Sequence, residues 1–433
     1  MTRGFSSSSS CRRGRALFLV SALVLAGGAS AQEAAKERWI GDSIGFEKPV
    51  MTHVGRLPVV GLDERAVADD LTAAPAELRQ ALTLKKSRRT ETPSANMGLV
   101  MVDAVTGDVY HFEAPRAAFE ALHQEMVRRG ETGPSADFAD DSLVPETEEE
   151  QTGILVTESW SDGIPNFIRR GVEDGVATNH SVYRRIGQIG SGCSGALVGA
   201  RHVLTAAHCA VNNITMEVYS SSFRPRRDGS DTMAPPIAPF GARSFICYIF
   251  PQEYWNGTCN FLSTSDCNKY DIALGILDSS FTNTPSMGYA VYTLASLNSL
   301  TKWNRGYPRC EVDDTPDAEA PGGEDCTKFT LYGDRASCTI GAVSSPDSDG
   351  YNRELWVDCD GARGMSGSPM YTTESSLGLV ALGVYSQFVC TAGACATHPQ
   401  GEYPNTYTRI TPQYAAMISA AKAIWSCSSG ICP

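Results

Sequence analysis

Val203-Leu204-Thr205-Ala206-Ala207-His208-Cys209 sets an imidazole behind a short apolar run and a turn of small residues. Ten positions before it, Cys193-Ser194-Gly195-Ala196-Leu197 forms another apolar run with a cysteine at its head. A histidine alone is more often structural than catalytic. Here two later segments supply what an imidazole needs for acyl transfer. That chemistry requires a hydroxyl, a base to take its proton, a carboxylate to orient the base, and N–H donors for the oxyanion. Asp271-Ile272-Ala273-Leu274 puts a carboxylate ahead of an apolar strand, where it can be buried against the imidazole. Gly364-Met365-Ser366-Gly367-Ser368-Pro369 puts a hydroxyl in a glycine-rich turn. Glycine lets such a turn tighten and aim its N–H groups at one point. His208, Asp271 and Ser366 are therefore the candidate catalytic residues, with the Gly364 and Ser366 N–H groups as oxyanion donors. Asp266 and Asp278 compete for the acidic role, and Ser368 for the nucleophile's.

These segments, in the order His, Asp, Ser, resemble the trypsin/chymotrypsin-like serine proteases. The resemblance implies an all-β fold of two antiparallel six-stranded β-barrels with a C-terminal helix, over residues 170–433. It implies a Cys193–Cys209 bridge fixing the loop of the base. It also implies that His208 acts as base and then acid, that Asp271 orients it, and that Ser366 attacks the substrate carbonyl without a cofactor. Ser-Gly-Ser-Pro at 366–369 is similar to the bacterial glutamyl-endopeptidase branch, as are Gly306-Tyr307-Pro308 and Leu355-Trp356-Val357-Asp358.

Two departures qualify that resemblance. Met365 stands where trypsin carries the aspartate that pairs with a freed N-terminal amine. A thioether cannot accept that salt bridge, so activation is expected to proceed by removal of a covering pro-region. The second departure concerns substrate choice. The branch's glutamate preference rests on a histidine and a Ser or Thr at places held here by Tyr385 and Gly361, so that preference is not expected. Asp360 occupies the place of trypsin's pocket-floor aspartate, which implies Arg or Lys substrates through charge pairing. Aligned from Ser386 and Tyr407, Phe388 and Asn405 replace the wall glycines, which implies a narrower pocket for small residues. Asp360, Tyr385, Ser386, Phe388 and Asn405 are the candidate substrate-binding residues, and both preferences stand.

The rest of the chain frames this region. Of 433 residues 42% are hydrophobic, enough for a full core, and 40 are glycine, which suits a loop-rich β protein. A net charge of −13 excludes a nucleic-acid partner of the usual kind, which needs Lys and Arg on phosphates. Arg12, Arg13 and Arg15, the apolar run Ala16–Gly28 and Ala29-Ser30-Ala31 form a signal peptide over 1–31, too short to span a bilayer. No other segment is long and apolar enough to span. Export to the extracellular space or periplasm follows. Residues 32–135 are expected to be a small α+β pro-region or N-terminal domain. It has a strand pair about the Val105–Asp108 turn and a helix from Pro115 bearing Phe119, Leu122 and Met126. Residues 136–169 form an acidic linker and processing region, with dibasic pairs at Arg128-Arg129 and Arg169-Arg170 nearby.

Of 14 cysteines, all but Cys11 lie from Cys193 onward. In an exported chain this reads as disulfide bonding, and the odd number leaves at least one thiol over. Short loops favour Cys390–Cys395 and Cys427–Cys432. No repeated CxxC pair favours a metal. Asn179, Asn213 and Asn256 begin glycosylation sequons. The expected partners are protein or peptide substrates and the chain's own pro-region. The alternative is a non-catalytic secreted binding protein on the same fold.

Overall fold

Short apolar runs bounded by glycine, proline and polar turns form antiparallel strands with tight connections. The computed structural model describes residues 50–61, 98–114, 120, 124, 158–159, 167–169, 182–190, 192–212, 215–227, 238–256, 268–281, 284–308, 329–334, 337–347, 350–359, 361–362, 364–374, 378–388 and 405–424. The expected signal segment, most of the acidic linker, Asp266, Asp360, Arg128-Arg129, Asn179, Asn213, Cys390–Cys395 and Cys427–Cys432 lie outside them. So does the expected helix after Pro115, apart from Glu120 and Gln124, which are helical.

Before the region of the chemistry come β1 (Thr52–Arg56), β2 (Val59–Gly61), β3 (Gly98–Asp103), β4 (Asp108–Glu113), β5 (Glu158–Ser159) and β6 (Phe167–Arg169). Then follow β7 (Ile186–Ile189), β8 (Cys193–Gly199), β9 (His202–Thr205), β10 (Val211–Asn212), β11 (Glu217–Ser220), β12 (Ser222–Pro225), β13 (Arg243–Pro251), α1 (Gln252–Asn256) and β14 (Ala273–Leu277). The second half contributes β15 (Gly288–Tyr289), α2 (Leu294–Ser299), β16 (Trp303–Asn304), β17 (Tyr332–Asp334), β18 (Ile340–Val343) and β19 (Glu354–Val357). It ends with β20 (Gly361–Ala362), β21 (Pro369–Glu374), β22 (Gly378–Phe388), β23 (Asn405–Arg409) and α3 (Pro412–Ile424).

Strands β13, β12, β7, β8, β9 and β14 follow one another, and β14 returns to β13, so the first barrel is closed. Its interior alternates absent and large side chains. A Cβ on Gly275 would lie 2.3 Å from Phe245, and one on Gly187 2.5 Å from Phe223, so the two rings occupy the space the glycines leave. The second barrel runs β16-β21-β22-β23-β19-β18, with β15 beside β22. Among the described residues, the bridge that joins its two ends runs from Lys302 to Cys338. The chain is thus mostly β with a chymotrypsin-like architecture. The helix α3 begins at Pro412, where a missing N–H costs nothing. Tyr414, Met417, Ile418 and Ala421 recur at helical spacing and are buried with the core of the first barrel. Among the described residues no helix is long and apolar enough to cross a membrane.

The N-terminal strands do not stand apart. The turn between β3 and β4 is built by Asp103, whose carboxylate accepts the N–H groups of Val105 and Thr106 at 2.8 Å. Gly107 follows at φ 78°, where a Cβ would meet the Leu57 carbonyl at 2.1 Å. Strand β3 lies against β13, in register from Leu99↔Pro251 to Asp103↔Cys247. Leu99, Val100, Met101 and Val102 are fully buried in the same core as Val203 and Leu274. Burial of side chains this size stabilises by roughly 1.5–3 kcal/mol each.

Candidate active site

The disulfide Cys193–Cys209 ties β8 to the short turn Ala207–Cys209 that carries His208. Asp271 sits just ahead of β14, as an acid preceding an apolar strand should, and is 4% exposed. Its Oδ2 lies 2.6 Å from His208 Nδ1, and its Oδ1 accepts the His208 backbone N–H at 2.9 Å. The carboxylate thus holds both the ring and the backbone of the histidine. Ser386 Oγ donates to the same Oδ2 at 2.6 Å. Burial raises the Asp271 pKa. The charge of His208 and the hydrogen bonds from His208 and Ser386 more than reverse that, and the group ends below its ordinary 3.8. Of the competing acids, Asp278 is exposed and accepts from the Ser279 hydroxyl beyond the end of β14.

Ser366 is brought in from the other barrel. Its carbonyl accepts the Ser194 N–H at 2.7 Å, and the Ser194 hydroxyl donates to the Gly364 carbonyl at 2.9 Å. Ser194 directly follows bridged Cys193, so one seam joins the loop of the histidine to the loop of the serine. Gly364 and Gly367 have φ of 89° and 84°, a region that suits glycine. A Cβ on Gly367 would lie 2.1 Å from Thr205 Oγ1 and 2.2 Å from the Ser194 carbonyl. Glycine there is what lets the two barrels touch. Among the described residues, no acceptor takes the N–H of Gly364 or Ser366. Ser366 is half-buried, whereas Ser368 is fully buried and donates its hydroxyl to Asn304 Oδ1 at 2.9 Å. That commitment makes Ser368 a structural residue. Met365 is also buried and belongs to the core of the second barrel. It anchors the loop apolarly where an aspartate would have needed a charged partner.

The expected pocket residues fall together in part. Tyr385 donates to Asn405 Oδ1 at 3.0 Å, and a Cβ on Gly361 would meet the Tyr385 hydroxyl at 2.6 Å. Asn405 in turn donates to the Cys359 carbonyl. Cys359 is bridged to Cys338, a pairing the sequence left open; Cys247, likewise unassigned, is a buried thiol in β13. Phe388 is opposite Asn405 in the β22–β23 ladder. Ser386, expected at the substrate, instead turns its hydroxyl to Asp271.

Behind Asp271 lies a buried array that the motifs did not reveal. Thr408 Oγ1 donates to the carbonyls of Asp271, at 3.1 Å, and Asn268. Asn268 Oδ1 faces Ser386 Oγ at 3.4 Å, while its amide donates to Glu354 Oε1 at 2.8 Å. The one sequence signal was Glu354 itself, an isolated acid at the head of an apolar strand.

A search of the curated proteins finds no match. Among solved structures the chain is similar to a Glu endopeptidase in complex with MPD, at 20% identity and TM-score 0.42, over 60% of this chain and 98% of that one. It is also similar to the protease Anisep from Arthrobacter nicotinovorans, at 20% identity and TM-score 0.36, over 55% and 96% of the two chains. The family model described as trypsin matches residues 172–418, more than half of the chain and the whole span from His208 to Ser366. The chain belongs to the trypsin family of serine peptidases.

Proposed function

We propose that this chain is an exported serine endopeptidase acting through His208, Asp271 and Ser366. The observation that carries it is the buried Asp271 carboxylate, which holds His208 Nδ1 and accepts from Ser386. With Nδ1 so engaged, Nε2 is the ring nitrogen that takes the Ser366 proton. Ser366 Oγ then attacks the peptide carbonyl, and the oxyanion is received by the Gly364 and Ser366 N–H groups. His208 returns the proton to the leaving amine. An acyl-enzyme remains, which water hydrolyses by the same steps in reverse order. No cofactor enters this sequence. Because Asp271 lies below its ordinary value, it stays ionised through neutral and mildly acid pH. Its support for the imidazolium, and for the fold, is present above 3.8 and lost as pH falls through the lower folded value.

For substrate choice we propose Arg or Lys at the cleaved bond, with Asp360 as charge partner. Its neighbours Cys359 and Gly361 both adjoin the Tyr385–Asn405 pair. A second reading, small residues, is favoured by that same pair, since the Tyr385 hydroxyl reaches across to Asn405 at a wall of the pocket. One experiment tests the whole proposal. The purified protein is treated with a fluorophosphonate and profiled on a peptide library, alongside Ser366→Ala. Labelling at Ser366, lost in the variant, together with cleavage after basic residues, is expected. Absence of labelling and of hydrolysis of every peptide, with peptide binding retained, would instead establish the non-catalytic binding protein. Cleavage after Glu would overturn the pocket assignment alone. Export is tested by N-terminal sequencing of the protein from the culture medium, with a start near Gln32 or later expected.

A further inference from the structure

We infer that residues 52–61 and 98–113, which precede the family match, are a permanent structural part of the first barrel and not a pro-region that leaves it. If the chain is cut between them and the barrels, the N-terminal piece stays bound without a covalent link. This goes beyond the proposed activity and does not depend on it.

These residues cover two strand edges, one on β13 and one on β11. β12 pairs with β13 only at Ser244 and Arg243. Along the same edge, from Cys247 to Pro251, the partner of β13 is β3. Without β3, that stretch would be an open edge bearing Tyr248, Ile249 and Phe250, all fully buried here. An exposed edge of that composition is a template for aggregation. The pairing extends past the ladder, since the Ala104 N–H donates to the Ile246 carbonyl at 2.9 Å. Side chains fit as closely. His111 Nε2 lies 3.0 Å from Gln252 Oε1, and a Cβ on Gly98 would collide with the same oxygen.

A second seam is independent of the first. β2 pairs in parallel with β11, Val59 to Val218 through Gly61 to Ser220. The Val218 N–H donates to the Pro58 carbonyl at 2.9 Å. β11 pairs with β10, and the Tyr219 N–H donates to the Ala210 carbonyl at 2.9 Å, two residues after His208. The N-terminal segment therefore supports the strand that follows the base. A dissociable inhibitor would place its strands on the elements that bear the chemistry. These ladders fall on β13 and β11, and neither carries His208, Asp271, Gly364 or Ser366.

The test uses the full chain with Ser366→Ala, to prevent self-digestion, and a site for a sequence-specific protease inserted at Glu148–Glu150. After cutting, the protein is run on gel filtration in native buffer and again in concentrated urea. Both pieces are expected in one native peak, parting only in urea. An N-terminal piece that elutes separately and leaves a folded, monodisperse body overturns the inference. A second variant guards against a poorly placed cut. Val102→Lys puts a charge at a fully buried point of β3 and should lower the unfolding temperature by on the order of 10 °C, before and after cutting. An unfolding temperature of the barrels that Val102→Lys leaves unchanged would be equally decisive against it.

Discussion

The two barrels do different work, and their construction differs accordingly. The first is closed by a full β13–β14 ladder and has its remaining β13 edge covered by β3. It carries His208 and Asp271, whose ring nitrogen and carboxylate lie 2.6 Å apart. Among the described residues the second closes through the bridge from Lys302 to Cys338, and it carries Ser366 and the Tyr385–Asn405 pair. A disulfide sits near the critical element in each: Cys193–Cys209 beside His208, and Cys338–Cys359 beside the Tyr385–Asn405 pair. More backbone pairing closes the half that holds His208 and Asp271 than the half that holds Ser366. The seam between the halves is made by Ser194, which hydrogen-bonds to Gly364 and Ser366, and by Gly367, which packs closely against Ser194 and Thr205.

Three changes would break this division or sharpen it. The largest effect is expected for Asp271→Asn in the first barrel. It keeps the shape but removes the charge and the tautomer control, and should lower kcat by about 10⁴-fold with KM little changed. Steady-state kinetics on a peptide substrate decide it, and a loss below about tenfold would mean that Asp271 is not the orienting acid. Next is Gly367→Ala at the seam. The new methyl meets Thr205 and the Ser194 carbonyl at positive φ, and the expected cost is about 4 kcal/mol by chemical denaturation. Activity should fall with it, because the methyl forces Ser366 away from the first barrel. A neutral result would show that the halves are not held at that point.

The smallest effect is a pH dependence confined to the first barrel. His202 in β9 is buried. Desolvation first, then the charges of Lys422 and Arg201, push its pKa down from 6.5 to about 4. The unfolded chain takes up this proton near 6.5 and the folded chain only near 4. The neutral group's contribution is thus complete above 6.5 and lost as pH falls between those values, by about 3 kcal/mol in all. Thermal unfolding across this range should show that slope, and His202→Phe should flatten it. An identical slope in the variant would assign it to other groups.

Much of the site was legible because acyl transfer demands specific residue types in short local contexts. His208 after small residues, Asp271 before an apolar strand and Ser366 between glycines are each readable within a few positions. The roles of Ser386 and Asn268 were not. Ser386 stands 115 residues from Asp271, and nothing local to it distinguishes a hydroxyl that faces a substrate from one that faces a carboxylate. The Asn268–Glu354 contact likewise joins elements of different barrels. The strand pair at β3 and β4 was readable from its turn, but its attachment to β13 was not.

The sequence by itself named the candidate triad and its order, the β architecture and the Cys193–Cys209 bridge that goes with them. The triad follows from local chemistry and the β content from short strand-like runs, while the bridge and the barrels follow from the resemblance to the trypsin-like proteases. Only the tertiary structure decided that β3 covers the remaining edge of β13, that Ser386 donates to Asp271, and that Tyr385 and Asn405 pair. The reason is physical: a strand edge or a buried acceptor takes whichever donor the packing brings to it. Which one arrives depends on how distant segments share a core, a property no short window of residues contains.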